Sequence, residues 1–248
     1  MTDHSAAAAP AHQESRIPIG QIIGQGFATL WRNILPFGFL ALLAWLPTAL
    51  VGASVGAASV TEASQVVPWI LLLGFLANGL LNGVVVYGTF MDLRGQPASM
   101  GACMRRGIAV LFPILGVVIV YVLILSVGFV LLVIPGIIAL VMLYVSVPVA
   151  VVEHPGVFAS LGRSRELTKN NPWRLLAIFL IVTVITQVAV AVGRIVGGAI
   201  SPFAGLSLEW ILNSVFAAFT AIVTTVAYYE LRKEKEGMGI EKLAAVFD

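Results

Sequence analysis

Long stretches of this chain carry no charge at all, over lengths that few environments other than a bilayer accommodate. No Asp, Glu, Lys or Arg lies between Arg32 and Glu62, between Glu62 and Asp92, or from Gly107 to Val152. Two further runs separate Arg174 from Arg194 and Glu209 from Glu230. A helix rises about 1.5 Å per residue, so roughly 20 apolar residues cross a hydrocarbon core about 30 Å thick. The run from Gly107 to Val152 is about twice that length and holds VIPGI, with Pro135 and Gly136 near its middle. A Pro-Gly pair punctuates a chain, so the run predicts two helices, 108–132 and 137–152, joined by a tight turn. The predicted spans are therefore ILPFGFLALLAWLPTALVGA, VVPWILLLGFLANGLLNGVVVYG, these two halves, Trp173–Gly193, and a sixth between Glu209 and Glu230.

Spans in lipid must satisfy every backbone group internally, as helices or as a closed barrel. Barrel strands alternate apolar and polar residues; LLAIFLIV and VLILSVGFVLLV do not. The expected fold class is all-α: a polytopic bundle of six transmembrane helices. Composition agrees. Hydrophobic residues make up 59% of the chain and charged ones 10%, against roughly 45–50% and about 25% in soluble domains. That excludes a water-soluble globule and disorder over most of the chain. A net charge of +2 gives no reason to expect nucleic acid as a partner. The lone Cys103 excludes an internal disulfide framework and a cysteine-based metal cluster.

Lys and Arg accumulate on the cytoplasmic side of membrane proteins. With six spans, 13 of the 14 basic residues fall on one side, which puts both termini in the cytoplasm; Arg194 is the exception. It is expected at the far interface, where pairing with Glu209 would be an exposed clasp of little worth. Residues 1–17 (MTDHSAAAAPAHQES and its continuation) lack the apolar core of a signal peptide and read as a disordered arm. Residues 18–237 form the membrane domain and 238–248 an amphipathic tail, with Ile240, Leu243, Ala244 and Phe247 on helical spacing.

Outside connections (GAASVTEASQ, the VIPGI turn, GGAISPFAGLS) are short, whereas the inside ones are longer and amphipathic. Ile19, Ile22, Ile23, Leu30 and Trp31 share a helical stripe, as do Met100, Cys103 and Met104. Such segments suit helices lying in the headgroup layer with cations toward anionic lipid, and equally helices that cap the bundle. GQGFATLWRNILPFGFLALL, SMGACMRRGIAVLFPILGVV and ASLGRSRELTKNNPWRLLAIF share a layout: a small-residue amphipathic stretch, basic or amide residues, a proline, then a span. Three parallel hairpin units would produce this spacing.

Chemistry-bearing constellations are sparse. GASVG matches the nucleophile-elbow pattern at Ser54, but it ends an apolar helix with no histidine in any span, so close helix packing explains it better. Gly79-xxx-Gly83 and Gly193-xxx-Gly197 follow the same packing logic. Asn78 and Asn82, four apart, form a candidate intramembrane polar face. They are expected either to hydrogen-bond across helices, to Gln187 or Asn213, or to line a polar path or headgroup site. The spans hold no ionisable residue of the kind coupled transporters use, and Glu153 and His154 have no further metal ligands nearby in sequence. No cofactor is expected.

At the fourth connection, PVAVVEHPGVFASLGRSRELTKNNPWRLL and the closing AYYELRKEKEG resemble bacterial proteins of the glycerophosphoryl diester phosphodiesterase membrane-domain family. The matching positions are Glu153, Ala159, Leu161, Arg163, Ser164, Leu167 and Trp173, then Tyr228, Arg232, Glu236 and Gly237; Ser160 separates Ala159 from Leu161, and Asn170 and Asn171 stand where the family often has Gly. The resemblance implies a six-span inner-membrane module and, with no hydrolase domain in this sequence, does not imply phosphodiesterase activity. The expected function is non-enzymatic: a lipid-interacting or scaffolding module for envelope organisation, with membrane lipids and other membrane proteins as partners. Arg163, Arg165, Lys169, Arg105 and Arg106 are the candidate headgroup-facing residues. A small-solute or lipid transporter is the alternative, and a membrane-embedded lipid enzyme a third reading.

Overall fold

The computed structural model describes residues 18–55, 60–96 and 99–236, excluding the side chains of residue 48, of 51–55 and of 60–66. The N-terminal arm, the tail stripe and the Ser54 side chain lie outside the described residues. All regular structure among the described residues is helical: α1 Ile19–Arg32, α2 Ile34–Val55, α3 Val60–Leu93, α4 Met100–Ala109, α5 Leu111–Leu131, α6 Val133–Met142, α7 Ser146–Val152, α8 Val157–Thr168, α9 Pro172–Ile200 and α10 Pro202–Glu236. The all-α bundle expected from the apolar runs is the fold observed.

Val67–Leu93, Leu111–Leu131, Val133–Val152, Pro172–Ile200 and Pro202–Glu236 are each long and apolar enough to cross a bilayer. A sixth candidate comes from α1 and α2, bent by 89° where they meet. Only 22% of the α5 span and 17% of the α9 span is buried inside the protein. Their outward sides are rows of Ile, Leu and Val such as Val122, Leu123, Val130, Val188, Val192 and Ile195. Apolar exposure on that scale is intolerable in water and is what a lipid-facing surface needs. The chain is a multi-pass membrane protein.

The three repeated sequence stretches correspond to a repeated element order. An amphipathic helix (α1, α4, α8) leads into an outgoing span (α2, α5, α9), and a return span follows (α3, α6 with α7, α10). The proline of each stretch falls at the start of the outgoing span, as Pro36, Pro113 and Pro172. There its missing N–H costs nothing.

The connections on the far side are tighter than the sequence indicates. The first turn after α5 is one extended residue, Leu132, and Pro135 and Gly136 belong to the first turn of α6 rather than to a loop. A Cβ on Gly128 would sit 3.0 Å from the Gly136 Cα, so the two glycines let the hairpin arms touch. Likewise GGAISPFAGLS is not a loop. Helix α9 runs on to Ile200, Ser201 caps α10 by accepting from the Ala204 N–H at 3.0 Å, and Pro202 is the first helical residue. A Cβ on Gly197 would come within 2.7 Å of the Ala204 carbonyl oxygen. Gly79 and Gly83 do the same for α3: a Cβ on Gly83 would meet the Gly107 Cα of α4 at 2.9 Å, and one on Gly79 would meet Leu115 of α5 at 2.8 Å.

At its C-terminal half α10 is the hub. Phe219, Ile222, Val223, Val226, Ala227, Tyr228 and Leu231 are fully buried, as expected of a helix apolar on every side and surrounded by others. Against it lie α1 (Gly26 over Val223, and Phe27 with its ring 4.3 Å from that of Phe219), α2, α3, α8 and α9. At about 1.5 Å per residue its 35 residues reach roughly 50 Å, well beyond one hydrocarbon thickness. Its last turns therefore project past the apolar layer at the end of the bundle that gathers most of the Lys and Arg residues, called the basic face below.

Candidate functional site: a charged ring at the basic face

The return span of the second unit is broken. Residues 143–145 form turns between α6 and α7, and Pro148 in the first turn of α7 cannot donate to the Tyr144 carbonyl. The Met142 carbonyl accepts instead from two hydroxyls of α8, Ser164 Oγ at 2.9 Å and Thr168 Oγ1 at 3.2 Å. The chain then leaves α7 at Glu153 and turns sharply, with His154 at φ +53° and Gly156 at φ +94°, before α8 begins at Val157. This turn folds α8 back over α7 and aims the Arg163 guanidinium at Glu153.

Five side chains from three segments close a ring there. The Tyr228 hydroxyl donates to Glu153 Oε1 at 2.7 Å, and Arg163 Nε donates to Glu153 Oε2 at 3.2 Å. Arg163 Nη2 also bonds Glu236 Oε1, Arg232 Nε donates to Glu236 Oε2 at 2.8 Å, and Arg232 Nη1 donates to the Tyr228 hydroxyl at 3.2 Å. Two guanidinium and two carboxylate charges cancel, and the side chains of all four charged members are only 17–29% exposed. Burial weakens the charged form of Arg163, but Glu153 and Glu236 outweigh it and raise the Arg163 pKa above its ordinary value. Glu166 adds an outer contact to Arg163 at 3.6 Å. This i, i+3 pair is the weaker of Arg163's partnerships. Because each carboxylate oxygen already accepts a donor, the ring is built as a fastener joining α7, α8 and α10.

Two smaller fasteners flank it. In the first unit Arg32 Nη2 donates to Asp92 Oδ2 at 2.7 Å and the buried Thr29 hydroxyl donates to the same oxygen at 3.1 Å, tying α1 to the end of α3. Asn171 Nδ2 donates to Glu234 Oε2 at 2.8 Å, tying the start of α9 to α10.

Of the headgroup candidates, Arg163 is turned inward into the ring. Arg165 and Lys169 are exposed on α8 and just beyond it, Arg105 is exposed on α4, and Arg106 is half-buried with its guanidinium 5.8 Å from the Tyr87 ring centroid. Lys169 sits at the rim of an apolar groove of about 290 Å³ that it shares with Ile137, Ile138, Val141, Trp173 and Leu176. Asn78 and Asn82 do not reach across to Gln187 or Asn213. Their amides donate to the carbonyls four residues back, Gly74 and Asn78, both at 2.9 Å, and Asn213 does the same to Glu209 at 3.0 Å. On the far side Arg194 Nε lies 3.6 Å from Glu209 Oε2 and is largely exposed. Among the described residues no three His, Cys, Asp or Glu side chains converge as a metal site.

No protein-family model, curated protein or solved structure matches this chain. Glu153, Arg163, Tyr228, Arg232 and Glu236 are the ring itself, and Ser164 holds the broken span beneath it.

Proposed function

We propose that the chain works without catalysis, as a lipid-interacting module of a bacterial cytoplasmic membrane with both termini in the cytoplasm, of the glycerophosphoryl diester phosphodiesterase membrane-domain type. One observation carries the reading: each amphipathic helix, or its junction with the following span, turns a bulky apolar side chain and a cation outward together. On α1 these are Trp31 and Arg32; around α4 they are Ile108 and Phe112 with Arg105; around α8 they are Phe158 and Trp173 with Arg165 and Lys169. Apolar anchors beside cations match a headgroup layer over acyl chains. The ring supports a scaffolding role, because it makes the basic face rigid where partners or lipids would dock.

The test is lipid retention. The full chain, purified from phosphatidylglycerol-containing membranes, is compared by native mass spectrometry with an Arg165→Gln/Lys169→Gln double variant. A surface cation is worth about 1 kcal/mol toward anionic lipid, so losing two should lower retention of the anionic lipid roughly thirtyfold. Equal retention would count against lipid interaction. Turnover of a phospholipid, abolished by changing one carboxylate or serine, would replace the reading with an enzyme. Accessibility of terminal tags in sealed vesicles settles the orientation.

A further inference from the structure

Among the described residues, Arg106 at the basic face pairs with no carboxylate. Arg106, on α4, is the counterpart by element order of Arg32 on α1 and Arg163 on α8. Each of those pairs with an acid at the end of its own unit's return helix, Asp92 and Glu236. The acid in that position of the middle unit is Glu153, and Glu153 is held by Arg163 and Tyr228 of the third unit. Arg106 is left with a buried Nε that has no hydrogen-bond partner among the described residues. An unmet buried donor on a charged group is expensive, so its persistence asks for a ligand.

Arg106 faces a cavity suited to one. A space of about 400 Å³ lies between the ends of α3 and α7 and the face of α4, and Arg94, Arg105 and Arg106 all line it. No carboxylate is among its lining residues as far as the described residues go. Two of the guanidinium groups rest on aromatic rings, Arg94 at 5.9 Å from the Phe90 centroid and Arg106 at 5.8 Å from that of Tyr87. For Arg106 this contact with the ring face is made by the cation and does not use up its N–H donors. The remainder of the lining (Met91, Ala102, Ala109, Val152) is apolar. Beside it on the lipid-facing surface stand Ile108 and Phe112. The positive charge is felt locally: His154 is held below the ordinary histidine value, first by burial and then by Arg106.

We propose that this cavity binds a phosphate ester, the phosphate seated on Arg105 and Arg106 and its organic part against Met91, Ala109 and Val152. Guanidinium groups match a tetrahedral anion with several acceptor oxygens, and the volume falls in the range of small-molecule sites. The same chemistry is offered by a phospholipid headgroup, with its chains leaving past Ile108 and Phe112, and by a water-soluble phosphate ester. In its lipid form the site deepens the lipid-interacting reading above; in its soluble form it stands apart from it.

The test uses the full chain in neutral detergent, with thermal unfolding followed as short-chain phosphatidate, glycerol 3-phosphate or inorganic phosphate is titrated. Stabilisation of the wild type by at least one probe is expected, and Arg106→Gln should weaken that binding about tenfold or more while leaving the ligand-free unfolding temperature unchanged or higher. Should Arg106→Gln fail to fold, Arg105→Gln, an exposed position, is expected to weaken binding in the same direction. Arg165→Gln, remote from the cavity, should leave it unaltered. Response to phosphatidate alone assigns the lipid source; an equal response to glycerol 3-phosphate assigns the soluble one. If no probe stabilises the protein, or if Arg105 and Arg106 can be neutralised without effect, the site is refuted. The lipid reading would then still stand or fall on Arg165 and Lys169.

Discussion

Replacing Tyr228 by Phe removes one oxygen from a fully buried side chain and alters no packing surface, which makes it the cleanest probe of the charged ring. The hydroxyl donates to Glu153 at 2.7 Å and accepts from Arg232 at 3.2 Å. Arg232 keeps Glu236, so its loss is minor, and the cost is dominated by the charge-assisted bond to Glu153. A bond of that type is worth about 1.5–3 kcal/mol. A freely exposed ion pair would be worth about 0–1 kcal/mol. Tyr228 is fully buried and Glu153 only 19% exposed, so the upper figure governs and about 2 kcal/mol is expected. Glu153→Gln preserves shape but removes the charge that Arg163 and Tyr228 share.

The two changes should not add. Once the Glu153 charge is gone, the Tyr228 hydroxyl contributes only a neutral bond, so the double variant should cost about 1 kcal/mol less than the sum of the singles. Reversible unfolding in mixed micelles gives all three numbers. Additivity to within about 0.5 kcal/mol would show that the ring members act independently, and the description of a closed fastener would be wrong. A Tyr228→Phe variant as stable as the wild type would refute it more directly.

Other consequences follow from the same geometry. Ser164→Ala or Thr168→Val alone leaves the Met142 carbonyl one donor and should cost about 1 kcal/mol, whereas the double change orphans it and should cost about 2–3 kcal/mol; unfolding of the three variants checks the inequality. Gly197→Ala forces a methyl against the Ala204 carbonyl and should destabilise by about 1–3 kcal/mol, with faster hydrogen exchange at the α9–α10 turn as its local signature. His154 has a lowered pKa in the folded chain, so the unfolded chain binds its proton first as pH falls. The contribution of the neutral imidazole is complete above about pH 6.5 and is lost as pH drops through the unfolded value toward the folded one. His154→Asn, which tolerates the positive φ, should flatten that part of the stability–pH curve and leave the alkaline side unchanged.

The spans were legible because bilayer thickness sets a length that uncharged runs either meet or do not. Their ends were less so, for local reasons. Pro135-Gly136 reads as a turn by residue type, yet a proline in a helix's first turn is equally acceptable, and the actual break is at Leu132, a residue with no turn signature. Ser201-Pro202 carried a usable start signal, a capping hydroxyl followed by proline at the first helical position, but the surrounding Gly and Ala pointed to a loop. Asn78 and Asn82 reached neither Gln187 nor Asn213, because a carbonyl one turn back was already within 2.9 Å. Each member of the ring is visible in the sequence as a charged or phenolic residue near a span end. That Glu153 meets Tyr228, 75 positions away, depends on the broken α6–α7 span and the His154 turn, neither of which has a periodic signature.

The threefold layout explains why the middle unit differs from its neighbours. In the first unit an arginine of the amphipathic helix clips the acid at the end of the same unit's return helix, Arg32 to Asp92, and each pair closes its own hairpin. In the third unit Arg163 does this with Glu236 and also reaches back to Glu153 of the second. That cross-unit bond adds a polar link to the packing between the second and third hairpins, because helices in lipid gain little from apolar contact alone and depend on packing and polar bonds to stay associated. Its consequence is that the second unit's acid is spent on assembly and its own arginine is not paired with it. The phosphate-ester cavity thus occupies the position where the repeat, applied strictly, would have placed an internal ion pair. Restoring an acid there, by Ala102→Glu against Arg106, should mimic the bound ligand: it should stabilise the ligand-free chain and abolish its response to every phosphate probe. An acid that left the response intact would separate the cavity from the broken symmetry and undo this account of its origin.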